Sequence, residues 1–105
     1  MYRNAALHLQ DVPAVETSAS IDQRVWEHLT AAERHTARAE AYAAGQRVNE
    51  YGMALDAGDF LAMLENAETE LVMAFSWLAQ GKCAPQRAKT AGLVRDRFYA
   101  VRAAA

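Results

Sequence analysis

The stretch Leu55–Gly81, LDAGDFLAMLENAETELVMAFSWLAQG, marks both of its own ends. Asp56 is placed to cap a helix, and Asp59 three residues on adds negative charge beside the unpaired N–H groups of the first turn. Leu55 and Phe60 stand where a hydrophobic staple needs them, one before the cap and one in the first turns after it. Gly81 supplies a left-handed stop. Between these signals Phe60, Leu64, Ala67, Leu71, Phe75 and Leu78 recur at steps of three and four and line one face. The segment 57–80 is the core helix, with Leu64, Leu71 and Phe75 expected at the bottom of the core.

Upstream, the spacing predicts a longer helix over 21–50. Ser20 with Gln23 forms a capping-box pattern, no proline interrupts the run, and Gly52 offers the stop. At 1.5 Å per residue such a helix is roughly 45 Å long against roughly 36 Å for the core helix, so one end must overhang. Val25, His28, Ala32, His35, Ala39, Tyr42, Gln46 and Asn49 follow heptad-like steps as its inward seam. A second narrow apolar line, Ala37, Ala41, Ala44 and Val48, has no evident partner within so short a chain. Downstream, Gly81-Lys82-Cys83-Ala84-Pro85 is a short turn that favours antiparallel neighbours, and its proline suits the first position of a third helix over 85–102. Ala91, Val94, Phe98 and Val101 form that helix's buried stripe. Residues 1–19 read as an N-terminal arm in which Tyr2, Leu7 and Leu9 pack against the bundle or a neighbouring chain. The expectation is therefore an all-α, largely antiparallel three-helix bundle over 20–105, with an arm and one long first helix.

Composition bounds the rest. A chain of 105 residues holds one domain, and although 52% of it is hydrophobic, 24 residues are alanine, which favours helix but buries little area. The core must be thin. One cysteine excludes an internal disulfide, and with no long apolar run the reading is a reducing, cytoplasmic setting and no membrane. The net charge of −2 hides an asymmetry: residues 1–81 hold 12 acidic against 5 basic side chains and residues 82–105 hold 1 against 6. The two parts thus carry −7 and +5. Such a basic segment either reaches for an acidic partner or lies against Glu65, Glu68 and Glu70 of its own core helix.

Few patterns carry chemistry. His28 and His35 share a face, but two turns separate them, whereas two ligands of one ion sit three or four residues apart on a helix. Neither Glu-x-x-His nor His-x-x-x-His occurs, so no metal or cofactor is expected. Both imidazoles read instead as half-buried seam residues, sensitive to mildly acid pH. Cys83, flanked by Lys82 and Arg87 near a helix start, stands where positive charge lowers a thiol's pKa, but a nucleophile also needs a base and none adjoins it. No phosphate loop, dinucleotide fingerprint or nucleophile elbow is present.

The functional expectation is a non-enzymatic helical protein-interaction module, an adaptor, regulator or inhibitor that self-associates as a homodimer. Ala37, Ala41, Ala44 and Val48 on the first helix are its expected contact line, and Met73 with Trp77, the latter only partly buried, forms a second partner-binding patch. The alternative is a nucleic-acid-binding regulator in which Arg95, Tyr99 and Arg102, at i, i+4 and i+7, lie along phosphates. Against the alternative, Val94, Phe98 and Val101 commit the same helix to the core.

Overall fold

In a computed structural model, which describes residues 17–104, the chain forms three α-helices. These are α1 (Ser18–Ala43), α2 (Ala57–Leu78) and α3 (Pro85–Ala103). The arm's Tyr2, Leu7 and Leu9 lie outside the described residues. Consecutive helices run antiparallel: Tyr42 near the end of α1 stacks on Phe60 near the start of α2, with ring centroids 5.1 Å apart. Arg95 midway along α3 lies over Phe75 near the end of α2, and Arg102 near the end of α3 reaches Glu68 at the middle of α2 at 3.2 Å.

The start of α2 follows the local signals closely. Asp56 accepts from the Asp59 N–H at 2.9 Å, and Asp59 accepts from the Asp56 N–H at 2.9 Å, a reciprocal box made by two aspartates. Phe60 is buried beside it and Leu55 is half-buried. At the far end α2 stops at Leu78, and Gly81 takes its left-handed conformation (φ 72°) in the turn beyond.

α1 departs from expectation at both ends. Its cap is Thr17 rather than Ser20: the Thr17 hydroxyl accepts from the Ser20 N–H at 3.1 Å, and Ser20 Oγ accepts from the Thr17 N–H at 3.1 Å. Threonine with serine three residues on does the work assigned to serine with glutamine. The other end stops at Ala43, not at residue 50. Gly45 turns left-handed (φ 106°), its N–H bonds to the Tyr42 carbonyl and the Gln46 N–H to the Ala41 carbonyl, both at 2.9 Å. This double closure is a Schellman motif, which ends a helix wherever a glycine can take the left-handed position. With 26 residues α1 is roughly 39 Å long against roughly 33 Å for α2, so the overhang shrinks.

The chain from 44 to 56 instead folds into a small hairpin-like loop. Val48 and Ala54 form an isolated antiparallel bridge, the Leu55 N–H bonds to the Arg47 carbonyl at 2.7 Å, and Asn49 Oδ1 accepts from the N–H groups of Tyr51 and Met53 at 2.8 and 2.9 Å. Asparagine closing its own backbone two residues on is a turn-forming device. Arg47 lies back over the Tyr42 ring, 4.0 Å from its centroid, so Tyr42 is partly buried while Val48, Tyr51 and Met53 stay exposed.

The core joins all three helices: Val25, Leu29, Ala32 and Ala39 of α1, Phe60, Leu64, Ala67, Leu71 and Ala74 of α2, and Ala91, Val94, Phe98 and Val101 of α3. Thr36, its buried polar member, is satisfied within its own helix by a 2.7 Å bond from Oγ1 to the Ala32 carbonyl. Leu64 and Leu71 are buried as expected, but Phe75 is only half-buried, at the edge of the core. The inward face of α1 is split between two neighbours. His28 and Tyr42 turn toward α2, meeting Glu70 and Phe60, while Glu33 and Glu40 on the other flank meet Arg97 of α3.

Candidate functional site

On the outer side of the α2–α3 pair an open hollow of about 260 Å³ is lined by Leu71, Val72 and Phe75 from one helix, Phe98 and Tyr99 from the other, and Glu68 and Arg95 at its rims. The helical repeat explains the lining. Glu68, Val72 and Phe75 lie at steps of four and three, on the flank of α2 adjoining its buried stripe, and Arg95, Tyr99 and Arg102 occupy the matching flank of α3. Phe98 (1% exposed) and Leu71 (5%) form the floor, whereas Val72 (60%) and Tyr99 (48%) form walls open to water. Bulky floor residues and alanine-rich neighbours leave a trough between the helices.

Its charges are placed unequally. Arg102 is tied to Glu68 at 3.2 Å and also lies 5.2 Å from the Phe98 ring and 4.9 Å from that of Tyr99. Arg95 sits over Phe75, 5.5 Å from its ring centroid, and its carboxylate contact is the adjacent Asp96 at 3.4 Å. Thus the three residues expected to track phosphates, Arg95, Tyr99 and Arg102, do lie together, but as one wall of an apolar trough with one guanidinium already neutralised.

Elsewhere the basic third helix is also matched to its own bundle. Arg87 bonds Asp22 through Nε at 3.1 Å and lies over Trp26 at 4.7 Å, while Arg97 bridges Glu40 at 2.6 Å and Glu33 at 3.7 Å. The Glu40 hydrogen bond, with the charges of Glu40 and Glu33, raises the Arg97 pKa further.

The other expected site residues do not gather into one surface. Ala37 and Ala41 lie partly exposed on α1, Ala44 is its C-terminal cap residue, and Val48 is in the loop. The four-residue line is therefore broken at Gly45, although the loop folds back so that Ala41 and Val48 border one small hollow with Leu55 and Met63. Met73 is exposed and Trp77 partly buried, with Arg24 over its ring at 5.0 Å; both face away from the trough. Glu68 is among the core-helix carboxylates the sequence offers to the basic segment, and Arg102 reaches it; Val72 is the trough residue the sequence reading does not name. Val72 is apolar and falls off the core stripe, which marks it as exposed without saying what it faces.

His28 and His35 are engaged within the chain. Nδ1 of His28 lies 2.7 Å from Glu70 Oε1. The His35 imidazole is held below its ordinary pKa, first by burial and then by Arg34 and Arg38, with Glu70 opposing. Cys83 reverses its expectation. Burial and the nearby charge of Asp22 push its thiol pKa up, against the opposing effect of Arg87, whose guanidinium is turned to Asp22. Among the described residues no group of three His, Cys, Asp or Glu side chains converges as a metal site, and no helix is long and apolar enough to cross a membrane. No family model matches the chain, and no match is found among curated proteins or solved structures.

Proposed function

We propose that this chain is a non-enzymatic protein-interaction module that self-associates, acting as an adaptor, regulator or inhibitor in a reducing, cytoplasmic setting, with the α2–α3 trough as its docking face. One observation carries the reading: Val72 and Tyr99 stand open to water above an aromatic and aliphatic floor. Covering such surface is favourable by about 25 cal/mol per Å², and aromatic side chains in a pre-formed trough are the usual anchors of protein interfaces. The lining suits contact better than chemistry. Its carboxylate and its guanidinium stand at opposite rims, so no pair of polar groups converges on a reacting atom.

Nucleic-acid binding draws less support, because Arg87, Arg97 and Arg102 are each bound to a carboxylate of the same chain. Light scattering after size exclusion tests the reading. At tens of micromolar the expected mass is twice the 11.6 kDa of one chain, and 11.6 kDa across a concentration series reaching about 500 µM would remove it.

A further inference from the structure

The trough has a direction along its length that a second copy of itself matches. Glu68 marks one end, bonded to Arg102 at 3.2 Å, and Arg95 marks the other, 5.5 Å from the Phe75 ring. Glu68 and Phe75 are seven residues apart on α2, a rise of about 10.5 Å, with Leu71, Val72 and Tyr99 between them. A two-fold axis passing through the middle of the trough, perpendicular to both helices, exchanges its ends. Each Glu68 then comes opposite the Arg95 of the other copy. Arg95 is available for this, since its Nε and Nη2 both reach one oxygen of adjacent Asp96 at 3.4 Å, the long edge of hydrogen bonding, with Arg95 about half exposed and Asp96 largely in water.

Resting on the self-association reading above, we propose that two copies pair trough to trough about this axis. Val72 and Tyr99 of each copy enter the other's hollow, and Glu68 of each copy sits between its own Arg102 and the other copy's Arg95. The two α2 and two α3 helices then form a four-helix layer, with both α1 helices outside. Size is consistent. Two adjacent helices about 28 Å long and about 20 Å across together offer roughly 550 Å² per copy, about 1,100 Å² in all, the lower end for a specific interface.

The test uses the full chain in sedimentation equilibrium, with circular dichroism to confirm that each variant is folded. Val72→Glu, Arg95→Glu and Glu68→Arg are each expected to weaken the dimer about tenfold or more, and Glu68→Arg/Arg95→Glu together to return it to within about threefold of the parent. In a Cys83→Ser background, Val72→Cys should give a covalent dimer with a short bis-maleimide. This readout remains if a charge variant fails to fold. A parent dimer unmoved by Val72→Glu, not rescued by the double swap, or not captured through Val72→Cys would overturn the trough and leave self-association standing. A parent that stays monomeric removes both.

Discussion

Nδ1 of His28 lies 2.7 Å from Oε1 of Glu70, a hydrogen bond that ties α1 to α2 beside a core in which alanines alternate with larger aliphatic residues. The same carboxylate acts on His35, but there burial and the charges of Arg34 and Arg38 outweigh it, so the fold favours neutral His35. A histidine whose folded pKa lies below its unfolded value supports the fold fully above that unfolded value, about 6.5, and the support is lost as pH falls below it through the folded pKa. The thermal midpoint is therefore expected to drop between pH 7.5 and about pH 5, and His35→Gln should make that drop smaller. Equal drops in parent and variant would show that His35 does not sense pH in the fold.

Leu71 sits under the trough and within the core, 5% exposed. Leu71→Ala should cost about 2–5 kcal/mol in urea unfolding, a large share of the stability of so small a domain. A loss below about 0.5 kcal/mol would place the core elsewhere.

The end of α1 depends on one backbone angle. Gly45 has φ 106° and nothing within 4 Å of where a Cβ would stand, so any penalty for Gly45→Ala is conformational rather than steric contact. The expected cost is about 1 kcal/mol, read from the urea midpoint. A neutral or stabilising result would mean that α1 continues past Gly45 once the left-handed residue is removed.

Cys83 should alkylate slowly. With its thiol pKa raised by burial and by Asp22, less thiolate is present at neutral pH than in a free cysteine. Iodoacetamide at pH 7.5 should react more slowly with the folded chain than with a cysteine peptide, and Asp22→Asn should speed it. Unchanged rates in the variant would deny Asp22 its part.

What could be read beforehand was what is settled locally. The α2 start is legible because Asp56 and Asp59 bond each other within one turn, and the buried stripe of α3 because Ala91, Val94, Phe98 and Val101 share one period. The end of α1 was misjudged because Gly45 is surrounded by good helix formers, and the choice between a tolerated glycine and a Schellman stop rests on hydrogen bonds made by Gly45 and Gln46. The trough was hidden for another reason. Val72 and Phe75 become its wall only when α3 is set beside α2 at a particular rotation, and no single-helix pattern encodes that angle.

Arg97 reaches Glu40 with one guanidinium nitrogen and Glu33 with the other, and these carboxylates are seven residues apart on α1. A slide of α3 along α1 by one turn, about 5.4 Å, carries Arg97 nearer one carboxylate as it leaves the other, and exposed pairs of this kind contribute only about 0–1 kcal/mol. The fork therefore behaves as a sliding bearing rather than a latch, and the axial position of α3 is set by Val94 and Phe98 in the core and by the single-partner pairs Arg87–Asp22 and Arg102–Glu68. Among the described cross-helix ion pairs of α3, the Arg97 fork is the one that tolerates such a shift, whereas Arg87–Asp22 and Arg102–Glu68 are each pulled apart by it.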